Sequence, residues 1–244
     1  LAALEGVRRV EPYYEMRAWL ALQRGELAVA LREAQTALEF AEERGRTYYR
    51  ILDRFLLAVI HAEAGALDDA RAEIAHYRRD TAGVQGPLAD YHALLVDAYI
   101  AWCSGDRDRC VEPLRGALAI GERERYRSHW IWHPAMMARL YGEALERGIA
   151  IPYVQDVIRT HAMAPASPDI AAWPWPINVR TLGGFAIEVR GAPLRFEGKS
   201  QRKPLDLLKA AGAIHSPYQF HWRRFLFETF PKGTQFPPLE VPAL

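Results

Sequence analysis

Apolar positions along the first two thirds of the chain recur at helical spacing. Leu52, Phe55, Leu56, Val59 and Ile60 fall on one face of a helix that runs up to Gly65. The pattern then repeats. Stretches 18–40, 58–80 and 98–120 align without a gap, which places Gly25, Gly65 and Gly105 40 residues apart twice running. Seven residues before each glycine stands an alanine (Ala18, Ala58, Ala98), and five before it an aliphatic residue (Leu20, Ile60, Ile100). Five after it stands a small residue (Ala30, Ala70, Cys110). Glycine reaches the left-handed conformation that ends a helix without a Cβ clash. An acidic residue just beyond (Glu26, Asp68, Asp106) favours a new helix start. The small residue lets two helices approach closely. Each unit is therefore expected to be an antiparallel helix pair that buries its apolar face by stacking on its neighbours. Residues 128–163 read as a fourth, looser unit of capping character, with Gly148 43 residues after Gly105. The spacing predicts helical repeats over residues 1–163, turns at Gly25, Gly65, Gly105 and Gly148, and no strand between Leu20 and Leu118.

Helical periodicity stops at a Pro-rich linker, residues 164–176. "INVRTL" and "FAIEV" then alternate apolar and polar residues, predicting two strands joined through Gly183–Gly184. "RGAP" predicts a turn and "LRF" a third short strand. A helix capped by Ser200 or Lys203 is expected next. Pro204 suits its first turn, and Leu205, Leu208 and Ala211 would face a core. Residues 177–213 thus read as a small antiparallel sheet plus one helix. The last 31 residues, 214–244, carry seven aromatics and five prolines and are expected to be largely irregular. Phe220, Trp222, Phe225 and Phe227 are the residues expected to cover the apolar side of the preceding module. The abrupt change of composition reads as a module interrupted after Ala213, by a frameshift or a rearranged gene end.

Composition narrows the function classes. Half of the 244 residues are apolar, enough for a sizeable core, yet no unbroken apolar run is long enough to span a bilayer. No secretory pattern opens the chain, so it reads as a cytoplasmic piece of a longer protein. The net charge of +1 hides an asymmetry. Residues 1–172 carry 21 Lys/Arg against 25 Asp/Glu, whereas residues 173–244 carry 10 against 5. A basic second part is compatible with nucleic acid.

Candidate chemistry is sparse. "HWIWH" sets His129 and His133 at i, i+4, one face of a helix and a spacing that can chelate a metal. A metalloprotease needs Glu after the first His to activate water, and Trp130 stands there. No third ligand is evident, so packing histidines between tryptophans is the expected role. Cys110 takes the slot of Ala30 and Ala70 and reads as a small packing residue, with Cys103 another structural thiol. His61 replaces the alanine of positions 21 and 101 and would point an imidazole into a groove. No phosphate loop, nucleophile elbow or other catalytic constellation is present. Neither a catalytic residue nor a cofactor or metal site is expected.

Two stretches resemble known families. The helix pairs are similar to the tetratricopeptide class, with a longer period than its usual one. Longer pairs of this kind resemble the sensor region of large bacterial transcriptional activators of the MalT (LuxR) type. The run "WPWPI…TLGGF…RGAPLRF…GKSQRKPLDLLKA", Trp173–Ala211, resembles the start of the winged-helix domain of the bacterial transcriptional activator family, which includes OmpR-like regulators. That resemblance implies a sensor joined to a DNA-binding module, with an NTPase domain upstream. It also implies a recognition helix and wing, which have no counterpart after Ala213. Lys199, Arg202, Lys203 and Lys209 would then lie on the first helix, able to touch phosphates but not to read bases. An effector ligand or protein is expected on the concave face of the repeats near Trp19, His61 and Trp102. DNA binding is expected to be weak or absent. The alternatives are a free-standing helical-repeat scaffold for a protein partner and, less favoured, a metal-dependent hydrolase using His129 and His133.

Overall fold

Eight helices follow one another through the first part of the chain in the computed structural model, which describes residues 11–83, 86–129, 131–167, 169–180, 186–189 and 192–193. They are α1 (Glu11–Gln23), α2 (Leu27–Glu43), α3 (Thr47–Glu63), α4 (Leu67–Thr81), α5 (Leu88–Cys103), α6 (Arg107–Glu124), α7 (Pro134–Glu146) and α8 (Ile151–Thr160). Each helix packs on the next in the first six, and α1 on α3, α3 on α5 and α5 on α7. No strand occurs among the described residues between Leu20 and Leu118. The chain forms two compact units, Leu1–Ala166 and Ser167–Leu244, and is mainly helical with one small antiparallel sheet.

The turns show why glycine stands at the 40-residue interval. Gly25 (φ 74°) and Gly65 (φ 77°) sit in the left-handed region, two residues past the last helical residue. Glu26 N donates to Ala21 O at 2.9 Å and Gly25 N to Leu22 O at 3.0 Å. Ala66 N to His61 O and Gly65 N to Ala62 O repeat that double closure at 2.9 and 3.1 Å. This is the six-to-one, five-to-two pattern that satisfies the last carbonyls of a helix. Gly105 and Gly148 share the left-handed conformation, as does Gly45 between α2 and α3.

The acidic residues beyond the turns differ in role. Only at Asp106 does the side chain cap a helix, Oδ1 accepting from Arg109 N at 3.1 Å. Glu26 precedes α2 without a side-chain bond, and Asp68 already lies in the first turn of α4, where it complements the helix dipole. The small slot is fully buried in all three units, at Ala30, Ala70 and Cys110. Charged side chains bind neighbouring helices together. Arg54 on α3 reaches Glu42 on α2 at 2.7 Å, and Glu73 and Asp80 on α4 at 2.9 and 3.2 Å.

In the second unit, β1 (Ile177–Arg180) pairs antiparallel with β2 (Ala186–Val189), Ile177 facing Val189 and Arg180 facing Ala186. β3 (Ala192–Pro193) returns on the other edge, with Val189 facing Ala192. The third strand therefore includes Ala192–Pro193, which the sequence reading places in a turn; a tighter hairpin brings the chain back sooner. Leu194–Phe196, Gly183–Gly184, the expected helix with Leu205, Leu208 and Ala211, and the expected aromatic tail lie outside the described residues. No helix among the described residues is long and apolar enough to cross a membrane.

Candidate functional site

Helices α1, α3 and α5 present equivalent slots to one side, because the 40-residue offset keeps side-chain direction. Six residues before each turn glycine stand Trp19, Val59 and Tyr99; two before it stand Gln23, Glu63 and Cys103. The link between α6 and α7 crosses this face, and its side chains and carbonyls occupy the slots. Trp132 O accepts from Trp19 Nε1 at 2.9 Å and from Gln23 Nε2 at 3.1 Å. His133 Nε2 donates to Glu63 Oε1 at 2.9 Å, and its Nδ1 lies 3.4 Å from Gln23 Oε1. Residues of α1 and α3 thus hold a segment 70 to 113 residues further along the chain.

Glu63 is the hub. Its Oε1 also accepts from Tyr99 Oη at 2.5 Å and from Arg139 Nη1 at 2.9 Å, and Oε2 accepts from the same Nη1 at 3.0 Å. Arg139 Nη1 contacts Tyr99 Oη as well. Burial alone pushes the Glu63 carboxyl up, but the hydrogen bonds from His133, Tyr99 and Arg139 and the Arg139 charge outweigh it, holding the group at about 2. The carboxylate stays charged and fully engaged. Beside it, Trp102 stacks on Tyr99, centroids 6.2 Å apart, with the guanidiniums of Arg107 and Arg139 at 4.1 and 5.2 Å from its ring centre. Arg107 is anchored by Glu143 at 2.8 Å.

The other end of the link enters an aromatic box. The His129 ring lies 5.1 Å from His92, 5.8 Å from Phe55 and 5.3 Å from Trp132, centroid to centroid. Trp132 in turn stacks on His161 at 4.4 Å. Tyr77 Oη is 3.3 Å from His92 Nδ1, whereas His92 Nε2 and both His129 nitrogens are shielded from solvent and make no hydrogen bond. Burial lowers the His92 pKa to about 4 and drives that of His129 well below the ordinary histidine value. Both rings are neutral.

Several expectations change. His129 and His133 do not share a helix face: the described residues of 126–133 are irregular and α7 begins at Pro134. The physical reason is local, since a residue preceding proline is pushed from helical to extended backbone, and His133 has φ −117° and ψ 100°. The two imidazoles turn to different surroundings, one to Glu63 and one to the aromatic box. Among the described residues no three His, Cys, Asp or Glu side chains gather as a metal would need. Trp19 and Trp102 both join the cluster. His61 does not: half-buried at the end of α3, its ring makes no hydrogen bond, ion pair or ring contact among the described residues. Lys199, Arg202, Lys203 and Lys209 lie outside the described residues.

The thiols offer poor nucleophiles. Burial lifts Cys110 to about 12 and also raises Cys103. Sequence reasoning missed Gln23, Glu63, Tyr99, His92 and Arg139. In the repeat alignment Gln23 and Glu63 share a slot with Cys103, and Tyr99 shares one with Trp19 and Val59, so neither slot carries one chemistry. His92 and Arg139 left no pattern of their own. No protein-family model, no curated protein and no solved structure matches the chain.

Proposed function

We propose that the helical region is a repeat solenoid serving as the effector- or partner-binding part of a cytoplasmic bacterial transcriptional regulator, without catalytic activity of its own. Residues 177–213 are in this reading the beginning of a winged-helix module that lacks its recognition helix. The observation that carries the binding role is the face of α1, α3 and α5, where Trp19, Gln23 and Glu63 hold the backbone and side chains of an extended segment. A surface that grips a carbonyl and an imidazole of its own chain has the donors and acceptors to grip those of a partner peptide. The regulatory role rests on the resemblance of Trp173–Ala211 and on the basic balance of that part of the chain.

A labelled peptide with the sequence of residues 126–134 tests the groove. The double variant Trp132→Ala/His133→Ala removes the stacking of Trp132 on His161 and the His133–Glu63 bond that pin the link, so the link is expected to yield to this peptide added in trans; adding Trp19→Ala weakens the binding. A variant that keeps its helical circular dichroism yet takes up no peptide sinks the proposal. A free-standing scaffold makes the same groove prediction and differs only in DNA binding, which the basic segment alone supplies.

A further inference from the structure

The repeat gives each first helix an equivalent stripe, yet one copy of that stripe is bare. Nine residues before the turn glycines stand Met16, Leu56 and Val96, and five before them Leu20, Ile60 and Ile100. Leu56, Ile60, Val96 and Ile100 are at most 4% exposed, while Met16 and Leu20 are 45% and 43% exposed. Helical i, i+4 spacing makes each pair one continuous patch. What covers the patch follows by elimination. α1, α3 and α5 each pack on their own second helix and on the first helix of the following pair. α3 and α5 additionally follow a packed pair; α1 has none among the described residues.

We propose that the Met16–Leu20 face of α1 is a docking surface for a further helix pair of the same 40-residue construction, seated as each unit sits on the one before it. The surface continues an interface the molecule already makes twice, with α1–α2 before α3 and α3–α4 before α5. A loosely fitting partner would not reproduce the near-complete burial of the equivalent residues. The occupant therefore offers a small-residue ridge like that of Ala30 and Ala70, which lets helices approach closely. The inference rests on the repeat equivalence of the helices and is independent of the groove and of DNA.

Methionine oxidation reads the surface directly. In the full chain, dilute peroxide is expected to oxidise Met16 well before Met136 and Met137, which are 1% exposed. A second copy of residues 47–86 inserted between Val10 and Glu11 supplies the proposed occupant. Oxidation of Met16 is then expected to slow by about tenfold, the protection given by a site opening only rarely. Leu20→Glu in the extended chain restores fast oxidation, while in the parent chain it leaves the thermal midpoint unchanged. Unaltered Met16 oxidation in an extended chain whose helical signal has grown overturns the proposal. Protection of Met16 in the parent that grows with protein concentration also overturns it, because a second copy is then the occupant.

Discussion

His133 Nε2 donates to Glu63 Oε1 at 2.9 Å, joining the residue before α7 to the last residue of α3 across 70 positions of sequence. The carboxylate gathers three donors, so its removal strands His133, Tyr99 and Arg139 together. Glu63→Ala is expected to cost about 2–4 kcal/mol, and Tyr99→Phe about 1 kcal/mol. Urea titration followed by circular dichroism measures both. Midpoints equal to that of the parent would show the network to be without energetic weight.

Acid acts on the same region with a defined sign. His92 is depressed to about 4 from an unfolded value near 6.5, and burial depresses His129 as well. The unfolded chain therefore binds protons that the folded one refuses, and stability falls as pH drops through that interval. Glu63, depressed to about 2 from 4.5, adds a second loss as pH falls below 4.5. Thermal midpoints are expected to decline between pH 6.5 and 4. The double variant His92→Leu/His129→Leu should show a flatter profile there. An equal slope in both proteins would exclude the buried pair as the cause.

Two glycines separate backbone need from space. At Gly65 a Cβ meets nothing within 4 Å, but φ is 77°, so Gly65→Ala costs about 1 kcal/mol through strain alone. At Gly121 in α6 the backbone is helical, and an added Cβ would lie 2.4 Å from Tyr153 Oη and 3.1 Å from Tyr91. Tyr153 Oη is also tied to Tyr126 O, so it does not yield freely. Gly121→Ala is expected to cost about 1–3 kcal/mol by overpacking, despite alanine's better helix propensity. Thermal denaturation of the two variants decides; a stabilised Gly121→Ala would contradict the tight approach.

DNA binding is expected to be general and salt-sensitive. In the proposed reading Lys199, Arg202, Lys203 and Lys209 neutralise a few phosphates, and a module lacking its recognition helix would make no bidentate base contacts. Fluorescence anisotropy with two unrelated duplexes should give equal, weak affinities that fade between 0.05 and 0.2 M salt, about the range over which such contacts are lost. Tight binding to one operator over scrambled DNA would defeat this expectation.

The repeat was legible because its signals are backbone signals. Gly25, Gly65 and Gly105 mark left-handed turns, and Ala30, Ala70 and Cys110 mark close helix approach, both of which demand particular residue types. The groove was less legible. Gln23, Glu63 and Cys103 share a slot but not a chemistry, so alignment alone gave no reason to group them. Trp19 and Trp102 stood out as large aromatics, whereas His61, chosen for differing from alanine, makes none of the cluster's contacts. The segment 129–133 misled for a different reason. Its i, i+4 histidines fit a helix, yet Pro134 was already the sign that a helix begins there and does not run through.

The strap laid across α1, α3 and α5 has a consequence for how the helices come apart. A row of stacked pairs with nearest-neighbour contacts alone unravels from its ends, one pair at a time. Here the bonds of Trp19 and Gln23 to Trp132 O close loops of 113 and 109 residues, tying α1 to the link before α7. Fraying at α1 must break its bonds to the link before α7, so the helices are expected to come apart more nearly together than an untied row would. The same loops raise the mean sequence separation of its contacts and slow its folding relative to an untied array of equal length.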